Sequence, residues 1–202
     1  MNKEKEPKKF SWKKELKQWG VILLVGTILY ATGLHTEVIG KLQSVVLYTG
    51  IFQPDVEEEM PAAFDRANYN LQLTPFNDEN FSLERFRGQT IFMNIWATWC
   101  PPCIAEMPNI QKLYDSIDSD KVAFVMLSLD EDPSKAKDFI ERKSFTFPVY
   151  TPGSAIPREF SSSVVPTTFV ISPDGRIVLK HEGMAKYNTD EFRAFLTGLS
   201  DQ

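Results

Sequence analysis

Residues 96–103 read Trp-Ala-Thr-Trp-Cys-Pro-Pro-Cys and contain the only two cysteines of the 202-residue chain. The apolar run that ends in this stretch, residues 90–96, predicts a buried β-strand. Two prolines separate the cysteines, and proline is tolerated in the first turn of an α-helix, where backbone N–H groups lack intrahelical partners. We therefore place Cys100 at the N-cap of a helix that begins at Pro101 and continues through residue 116.

This helix start makes the two thiols chemically unequal. An N-cap side chain accepts a hydrogen bond from the N–H of the second or third helical residue. Pro102 has no N–H, so the first available donor belongs to Cys103. That donor and the positive end of the helix dipole both lower the pKa of the Cys100 thiol. The pattern predicts that Cys100 attacks a disulfide and that Cys103 then resolves the mixed disulfide.

A Cys-x-x-Cys pair also occurs in zinc sites and in structural disulfides. A zinc site needs two further ligands, and the chain offers only His35 and His181, neither with metal-ligand spacing to the pair. A structural disulfide that closes so small a loop restricts the unfolded chain little. The pattern therefore favours redox chemistry, and it predicts neither a metal site nor a cofactor.

Three features together resemble one protein family. They are Trp99-Cys-Pro-Pro-Cys103 after a predicted strand, Pro108 within the following helix, and the later run Val165-Pro166-Thr167-Thr168. The combination resembles the thioredoxin superfamily, and most closely the membrane-tethered TlpA/ResA-like thiol-disulfide oxidoreductases. The resemblance covers about residues 69–199. It implies an α/β thioredoxin fold, in which helices flank a central mixed sheet and a helix over residues 133–143 with a strand over residues 147–150 forms an insertion. The residue patterns also predict strands at residues 69–73 and 122–129 and a short helix at residues 155–160. The acidic cluster at residues 130–132, directly before Pro133, predicts a helix start.

The resemblance also implies a proton relay. Thioredoxins carry a buried aspartate six residues before the first cysteine, but this chain has Asn94 there, which cannot carry a proton. Glu106 follows Cys103 by one helical turn, and TlpA/ResA-like proteins have a glutamate at that position. A carboxylate held partly out of water has a raised pKa and can exchange protons with a thiol. On spacing alone, the alternative is a solvated glutamate on the helix surface.

A substrate groove beside the cysteines is a further implication of the resemblance. In proteins of this fold the proline equivalent to Pro166 is cis, and the backbone before it pairs with the substrate chain. The alternative is an ordinary proline at the start of a strand. The predicted groove residues are Trp99, Pro101, Pro102, Val165 and Pro166.

The N-terminal region predicts a membrane anchor. Residues 1–17 contain seven lysines and three glutamates, whereas residues 18–36 contain no charged side chain. A helix of nineteen residues is about 28 Å long, near the thickness of a bilayer core. Because lysines concentrate on the cytoplasmic side, residues 1–17 are predicted to be a cytoplasmic tail and residues 18–36 a transmembrane signal anchor. A cleaved signal peptide is the alternative, but no small-x-small cleavage pattern follows the apolar run.

Residues 37–68 are predicted to form an amphipathic stalk and a linker before a thioredoxin-like domain at residues 69–202. Within the stalk, Val38, Leu42, Val45 and Val46 fall on one helical face. The segment is too short to span a bilayer comfortably, so it is expected to lie on the membrane surface or to extend the anchor. Residues 53–61, which hold Pro54 and an acidic run, are typical of a solvated tether.

Together these patterns predict an extracytoplasmic, membrane-anchored thiol-disulfide oxidoreductase. The resemblance implies a reductant of envelope-protein disulfides, with apocytochrome c as a candidate substrate and a membrane thiol-electron carrier as its source of electrons. The net charge of −5 argues against a nucleic-acid partner. Two alternatives differ in class. A peroxiredoxin-like peroxide reductase would use a Thr-x-x-Cys motif, and a redox-inert or copper-delivery binding module would place a histidine against the pair.

Overall fold

The computed structural model describes residues 12–32, 34–48, 54, 66–76, 79–117 and 120–200. The chain divides into two compact units, Met1–His35 and Thr36–Gln202. Helix α1 (Trp12–Ala31) belongs to the first unit. The second unit contains most of helix α2 (Leu34–Tyr48) and an α/β domain.

The N-terminal apolar segment is helical, but not over the predicted bounds. A single helix was expected over residues 18–36, whereas α1 ends at Ala31 and α2 begins at Leu34. At this break the Ile28 carbonyl oxygen accepts from both the Thr32 N–H at 3.0 Å and Thr32 Oγ1 at 2.7 Å. Among the described helices, none alone combines the length and apolarity of a membrane span, although Glu15–Ala31 and His35–Leu47 meet both criteria together. The predicted tail at residues 1–11 and most of the linker lie outside the described residues.

The α/β domain is built on a seven-stranded mixed sheet. Its strand order is β2-β1-β5-β4-β3-β6-β7, with β4 parallel to both β3 and β5 and the other pairs antiparallel. β3 and β4 are buried along their whole length, as expected of continuous apolar runs at the centre of a sheet. The strands are β1 (Gln72–Pro75), β2 (Phe81–Ser82), β3 (Thr90–Trp96), β4 (Val122–Ser128), β5 (Val149–Pro152), β6 (Thr167–Ile171) and β7 (Ile177–Glu182).

Each face of this sheet has its own hydrophobic core, because successive strand residues point to opposite faces. On one face, Phe92 and Trp96 of β3 pack with side chains of α3 (Pro101–Ser116), α4 (Pro133–Lys143) and α5 (Asp190–Ser200). On the other face, Ile91 and Ile95 pack with Phe160 and Phe169. The catalytic helix predicted from the sequence, α3, is therefore anchored through its buried side to the central strand.

The insertion implied by the resemblance is present. α4 has the predicted bounds, and its N-cap Asp132 accepts from the Ser134 N–H at 3.0 Å. The strand that follows is β5, at Val149–Pro152 rather than 147–150. Two other predictions were wrong in detail. A strand expected at residues 69–73 lies at Gln72–Pro75, because the Tyr69 and Leu71 carbonyls accept from Glu84 and Leu83 instead. A helix expected at residues 155–160 is only the 3₁₀ turn Arg158–Phe160.

Candidate active site

Cys100 and Cys103 form a disulfide at the start of α3. Cys100 occupies the N-cap, as predicted, and its Sγ accepts from the Cys103 N–H at 3.2 Å. Pro101 and Pro102 fill the first two helical positions. Only 4% of Cys100 is exposed and Cys103 is fully buried, so a substrate can approach the pair only from the Cys100 side.

A buried carboxylate holds the loop that leads into this helix. Because β3 and β4 are parallel, their carboxyl ends meet at one edge of the sheet, where Trp96 pairs with Ser128. The Asp130 carboxylate accepts from the Thr98 N–H at 3.0 Å, from the Thr98 hydroxyl at 2.6 Å and from the Ser128 hydroxyl at 2.8 Å. Asp130 thereby fixes the backbone two residues before Cys100.

The sequence interpretation missed this role of Asp130. The acidic cluster at residues 130–132 was expected to be a helix start, yet only Asp132 caps α4. A usable signal was present, since a carboxylate directly after one of two parallel buried strands lies at the same edge as residues that follow the other.

Glu106 lies one turn beyond Cys103 and is fully buried. Its Oε1 accepts from Asn94 Nδ2 at 2.8 Å, and its Oε2 accepts from the Ala185 N–H at 3.2 Å. Burial raises the pKa of Glu106 to about 8, although the hydrogen bonds from Asn94 and Ala185 act in the opposite direction. The alternative of a solvated surface glutamate is therefore wrong, and the carboxyl group can exist in either protonation state near neutral pH.

Asn94 connects Glu106 to a chain of buried hydroxyl groups. Its Nδ2 also donates to Thr168 Oγ1 at 2.9 Å, and the Tyr187 hydroxyl donates to the same oxygen at 2.7 Å. Within the described part of the chain, Asn94 Oδ1 is buried and has no hydrogen-bond partner. Asn94 is thus a positioning residue for Glu106. Tyr187 was not singled out from the sequence, because it lies in an irregular segment between β7 and α5.

The predicted groove residues lie beside the disulfide. The peptide bond between Val165 and Pro166 is cis, and the Val165 carbonyl oxygen is 3.5 Å from Cys100 Sγ. Trp99, the residue directly before Cys100 in the chain, is 58% exposed. Next to Val165 is a pocket of about 200 Å³, lined by Ile95, Leu129, Ile156, Phe160, Ser161, Ser162, Val164 and Val165. The arrangement offers a backbone edge and an apolar pocket next to the outer sulfur.

Comparisons with known proteins agree with this geometry. Residues 54–195 match the Redoxin family. The thiol-disulfide oxidoreductase ResA of Bacillus cereus (strain ATCC 10987 / NRS 248) is 30% identical over 153 residues, which cover 75% of this chain and 86% of that protein. ResA of Bacillus subtilis (strain 168) is 29% identical over 133 residues, 65% of this chain and 72% of that one.

Solved structures give the same fold. StoA from Bacillus subtilis has a TM-score of 0.51 at 26% identity and covers 69% of this chain and 99% of its own. A thioredoxin-family thiol:disulfide interchange protein from Chlorobium tepidum TLS has a TM-score of 0.57 at 23% identity, over 68% of this chain and 100% of its own. The thioredoxin fold implied by the resemblance is confirmed.

Proposed function

This chain belongs to the Redoxin family and is a thiol-disulfide oxidoreductase of the ResA type, and from that premise we propose that it reduces protein disulfides outside the cytoplasm. The observation that carries the proposal is the placement of the cysteine pair. Cys100 lies at the N-cap of α3, 3.5 Å from the Val165 carbonyl oxygen, and buried Glu106 lies one turn beyond Cys103.

In the proposed reaction the reduced enzyme gives two electrons to a substrate disulfide. The Cys100 thiolate attacks one substrate sulfur, the substrate S–S bond breaks, and the other substrate sulfur leaves as a thiolate that takes up a proton. Cys103 then loses its proton to the Glu106 carboxylate and attacks Cys100 Sγ. The mixed disulfide breaks, the second substrate sulfur leaves as a thiolate that takes up a proton from solvent, and the Cys100–Cys103 disulfide forms.

Glu106 suits this proton transfer because its pKa, about 8, is close to that of an ordinary cysteine thiol. A base whose pKa matches that of the acid it serves can both accept the proton and return it. In the oxidised enzyme the carboxyl group keeps that proton in a fully buried position. The proton is then available when the disulfide is next reduced.

The groove favours an extended polypeptide as the substrate. A backbone edge at Val165 and the adjacent pocket of about 200 Å³ can hold a strand and one apolar side chain next to its cysteine. Trp99, Pro101 and Pro102 form the opposite wall in this proposal. Envelope proteins with accessible disulfides fit this description, and the paired cysteines of apocytochrome c before haem attachment are our candidate.

We place the enzyme at the cell membrane, with its N-terminus in the cytoplasm. The charge-free residues 18–36 follow a lysine-rich segment, and α1 exposes large apolar side chains such as Trp19, Leu23 and Tyr30. Such a surface is suited to contact with lipid. In an oxidising compartment the pair requires reduction after each turnover, for which we propose a membrane thiol-electron carrier.

The test is a comparison of Cys103→Ser with Cys100→Ser in cells that make the full-length protein. Since resolution requires Cys103, the Cys103→Ser variant should accumulate mixed disulfides through Cys100, and the Cys100→Ser variant should not. Acid quenching, non-reducing electrophoresis and mass spectrometry identify the trapped proteins. Equal trapping by both variants contradicts the assigned roles, and trapping of cytoplasmic proteins alone contradicts the proposed location.

A further inference from the structure

Helix α2 presents its polar face to the domain and its apolar face to the outside. One side of α2, which we call the inner face, consists of Thr36, Glu37, Gly40, Gln43, Ser44 and Leu47. All of these residues except Leu47 are small or polar, and Gly40 and Leu47 are buried. The opposite side, the outer face, is 43–67% exposed and consists of Val38, Ile39, Leu42, Val45 and Val46. A helix that packs on a soluble domain normally has the reverse arrangement.

The inner face rests directly on the catalytic helix α3. A Cβ atom added to Gly40 would lie 3.0 Å from both the Pro101 carbonyl oxygen and Ile104 Cγ2, which is tighter than most real Cβ contacts. Glycine thus favours the close approach of α2 to the first turn of α3. Further along the two helices, Ser44 and Leu47 line a small cavity of about 50 Å³ together with residues of α3 that include Ala105 and Pro108.

Two ion pairs fix the N-terminal end of α2. The Glu37 carboxylate lies 2.6 Å from Arg142 Nη2 and 2.5 Å from Lys143 Nζ, both at the end of α4. The Glu37 side chain is only 17% exposed, so these pairs are partly shielded from solvent. The inner face therefore contacts α3, which contains Cys103, and α4, and from Thr36 onward α2 belongs to the same compact unit as the catalytic domain.

The outer face has the composition of a lipid-binding surface. Scattered apolar residues on a protein surface are normal, but five on one face of one helix form a contiguous patch that calls for a partner. Lys41 is exposed at the edge of the outer face, where this face borders Glu37 of the inner face. A lysine at the edge of an apolar stripe is typical of interfacial helices, in which its long side chain reaches the lipid headgroups.

We infer that the outer face of α2 lies in the headgroup–acyl boundary of the bilayer, so that α2 holds the catalytic helix at a fixed orientation to the membrane. This inference rests on the membrane location proposed above and specifies what it does for the active site. Packed helix axes are ~10 Å apart, so the first turn of α3, with Cys100, lies about one helix diameter from the lipid surface. The disulfide of the full chain would thus work at the membrane surface and not at the end of a long tether.

The first arm of the test measures the depth of α2 in lipid. The native cysteines are disulfide-bonded in the oxidised protein, so one added cysteine can be labelled selectively with a nitroxide. Leu42→Cys on the outer face and Glu141→Cys on exposed α4 form the matched pair. Each full-length protein is reconstituted into vesicles of phosphatidylcholine and phosphatidylglycerol without other proteins. The ratio of oxygen to nickel-complex accessibility should be roughly fivefold higher for the Leu42 label, because an interfacial helix buries its apolar face. Equal ratios overturn the inference.

The second arm tests the seat of α2 on α3. Gly40→Leu should speed amide hydrogen exchange of residues 36–47 by about tenfold, because loss of tertiary contacts lowers the cost of local opening. Gly26→Leu is the control, since no atom lies within 4 Å of a Cβ added at Gly26. An unchanged exchange rate in Gly40→Leu overturns the inference.

Flotation and activity separate this inference from the proposed function. If the protein floats with the vesicles while the label at position 42 remains in water, the anchor is retained and the proposed role of α2 is overturned. Protein that does not float overturns both the anchor and the inference, whereas reduction of insulin in the same sample still reports the oxidoreductase activity. Spin–spin broadening between two Leu42 labels, with no lipid contact, overturns the inference in favour of a dimer.

Discussion

The carboxyl group of Glu106 titrates inside the protein, and its environment ties the stability of the fold to pH. Its pKa is raised from 4.5 to about 8 by burial, so the unfolded chain releases this proton at a lower pH than the folded chain does. The neutral carboxyl group contributes stability that is fully present at pH values below the pKa of Glu106 in the unfolded chain. That contribution is lost as the pH rises towards about 8, because ionisation then favours the unfolded chain.

We therefore expect Glu106→Gln to flatten the pH dependence of stability. Between about pH 5 and about pH 8 the free energy of unfolding of the unmodified protein should fall relative to that of the variant, by at most ~1.4 kcal/mol per pH unit. Disulfide exchange should slow in the variant and lose the inflection in its pH–rate profile that the carboxyl group causes. Denaturant unfolding and insulin reduction across this pH range are the measurements.

Glu84→Gln serves as the control for this experiment. Glu84 is exposed and hydrogen-bonded to Arg87, which lowers its pKa, so it does not titrate within the tested range. Parallel stability curves for the unmodified protein and Glu106→Gln would mean that Glu106 ionises as readily when folded as when unfolded.

The structural position of a single residue was predictable from the sequence where its neighbours in the chain determine that position. The N-cap position of Cys100 follows from two local prolines and is found in the structure. The burial of Glu106 depends on Asn94 and on the backbone at Ala185, which is 79 residues away. Helical periodicity does not reveal a contact between residues so far apart in the chain. From the spacing of Cys103 and Glu106 alone, a solvated glutamate on the helix surface was therefore an equally good interpretation.

At the level of elements, two carboxylates that follow β4 stabilise two different segments, the loop before α3 and the first turn of α4. Asp130 binds the loop before α3, and Asp132 caps α4. Asp130→Ala should cost about 1–3 kcal/mol of stability because it leaves buried donors at Thr98 and Ser128 unsatisfied. It should also slow disulfide exchange, since the backbone that leads into Cys100 loses its anchor. Thermal unfolding and insulin reduction measure the two effects.

Asp132→Ala is the matched change two residues later in the chain. It should cost about 1 kcal/mol through loss of the cap while exchange proceeds at the normal rate. If both variants slowed disulfide exchange equally, Asp130 would have no specific role in positioning the loop before Cys100.

Elements with strong local signals were predicted well, and elements defined by distant partners were not. β3 and β4 follow from apolar runs, and the bounds of α4 follow from its Asp-Pro start. β1 was displaced because its true partners are β2 and the distant β5, with Thr74 opposite Thr151. The break between α1 and α2 was missed because the single helix was inferred from the absence of charged residues over 18–36, which continues across the break.

For the whole molecule, the resemblance implied a central mixed sheet, but the order of its strands was not predicted. The order β2-β1-β5-β4-β3-β6-β7 places β3 between two strands that follow it in the chain. Hydrophobic patterns identify which segments are strands, but they do not state which strands are neighbours. The cysteine motif, Pro108 and Val165-Pro166 together indicated the fold class, and the strand neighbours are found only in the structure.

Membrane topology is the prediction that concerns the whole chain. The full-length protein should stay in the membrane fraction, and protease added to intact spheroplasts should remove the domain after about residue 36, because the lysine-rich segment stays inside. Immunoblotting against the two ends of the chain is the measurement. A cytoplasmic protein that resists protease until lysis controls for leakage. A soluble, shortened product would indicate cleavage, and a protected domain would indicate the inverted orientation.

Oxidation of Cys100 and Cys103, whose Cα atoms lie 5.3 Å apart within one helical turn, is linked to unfolding by a thermodynamic cycle. Oxidation and unfolding can occur in either order. The difference in unfolding free energy between the oxidised and reduced protein therefore equals the difference in reduction free energy between the folded and the unfolded chain. Core side chains that pack equally well in both redox forms cancel from this difference. Only groups that sense the state of the two sulfurs remain, among them the Val165 carbonyl and Glu106, so the fold can vary in stability while the driving force for electron transfer is set at this site.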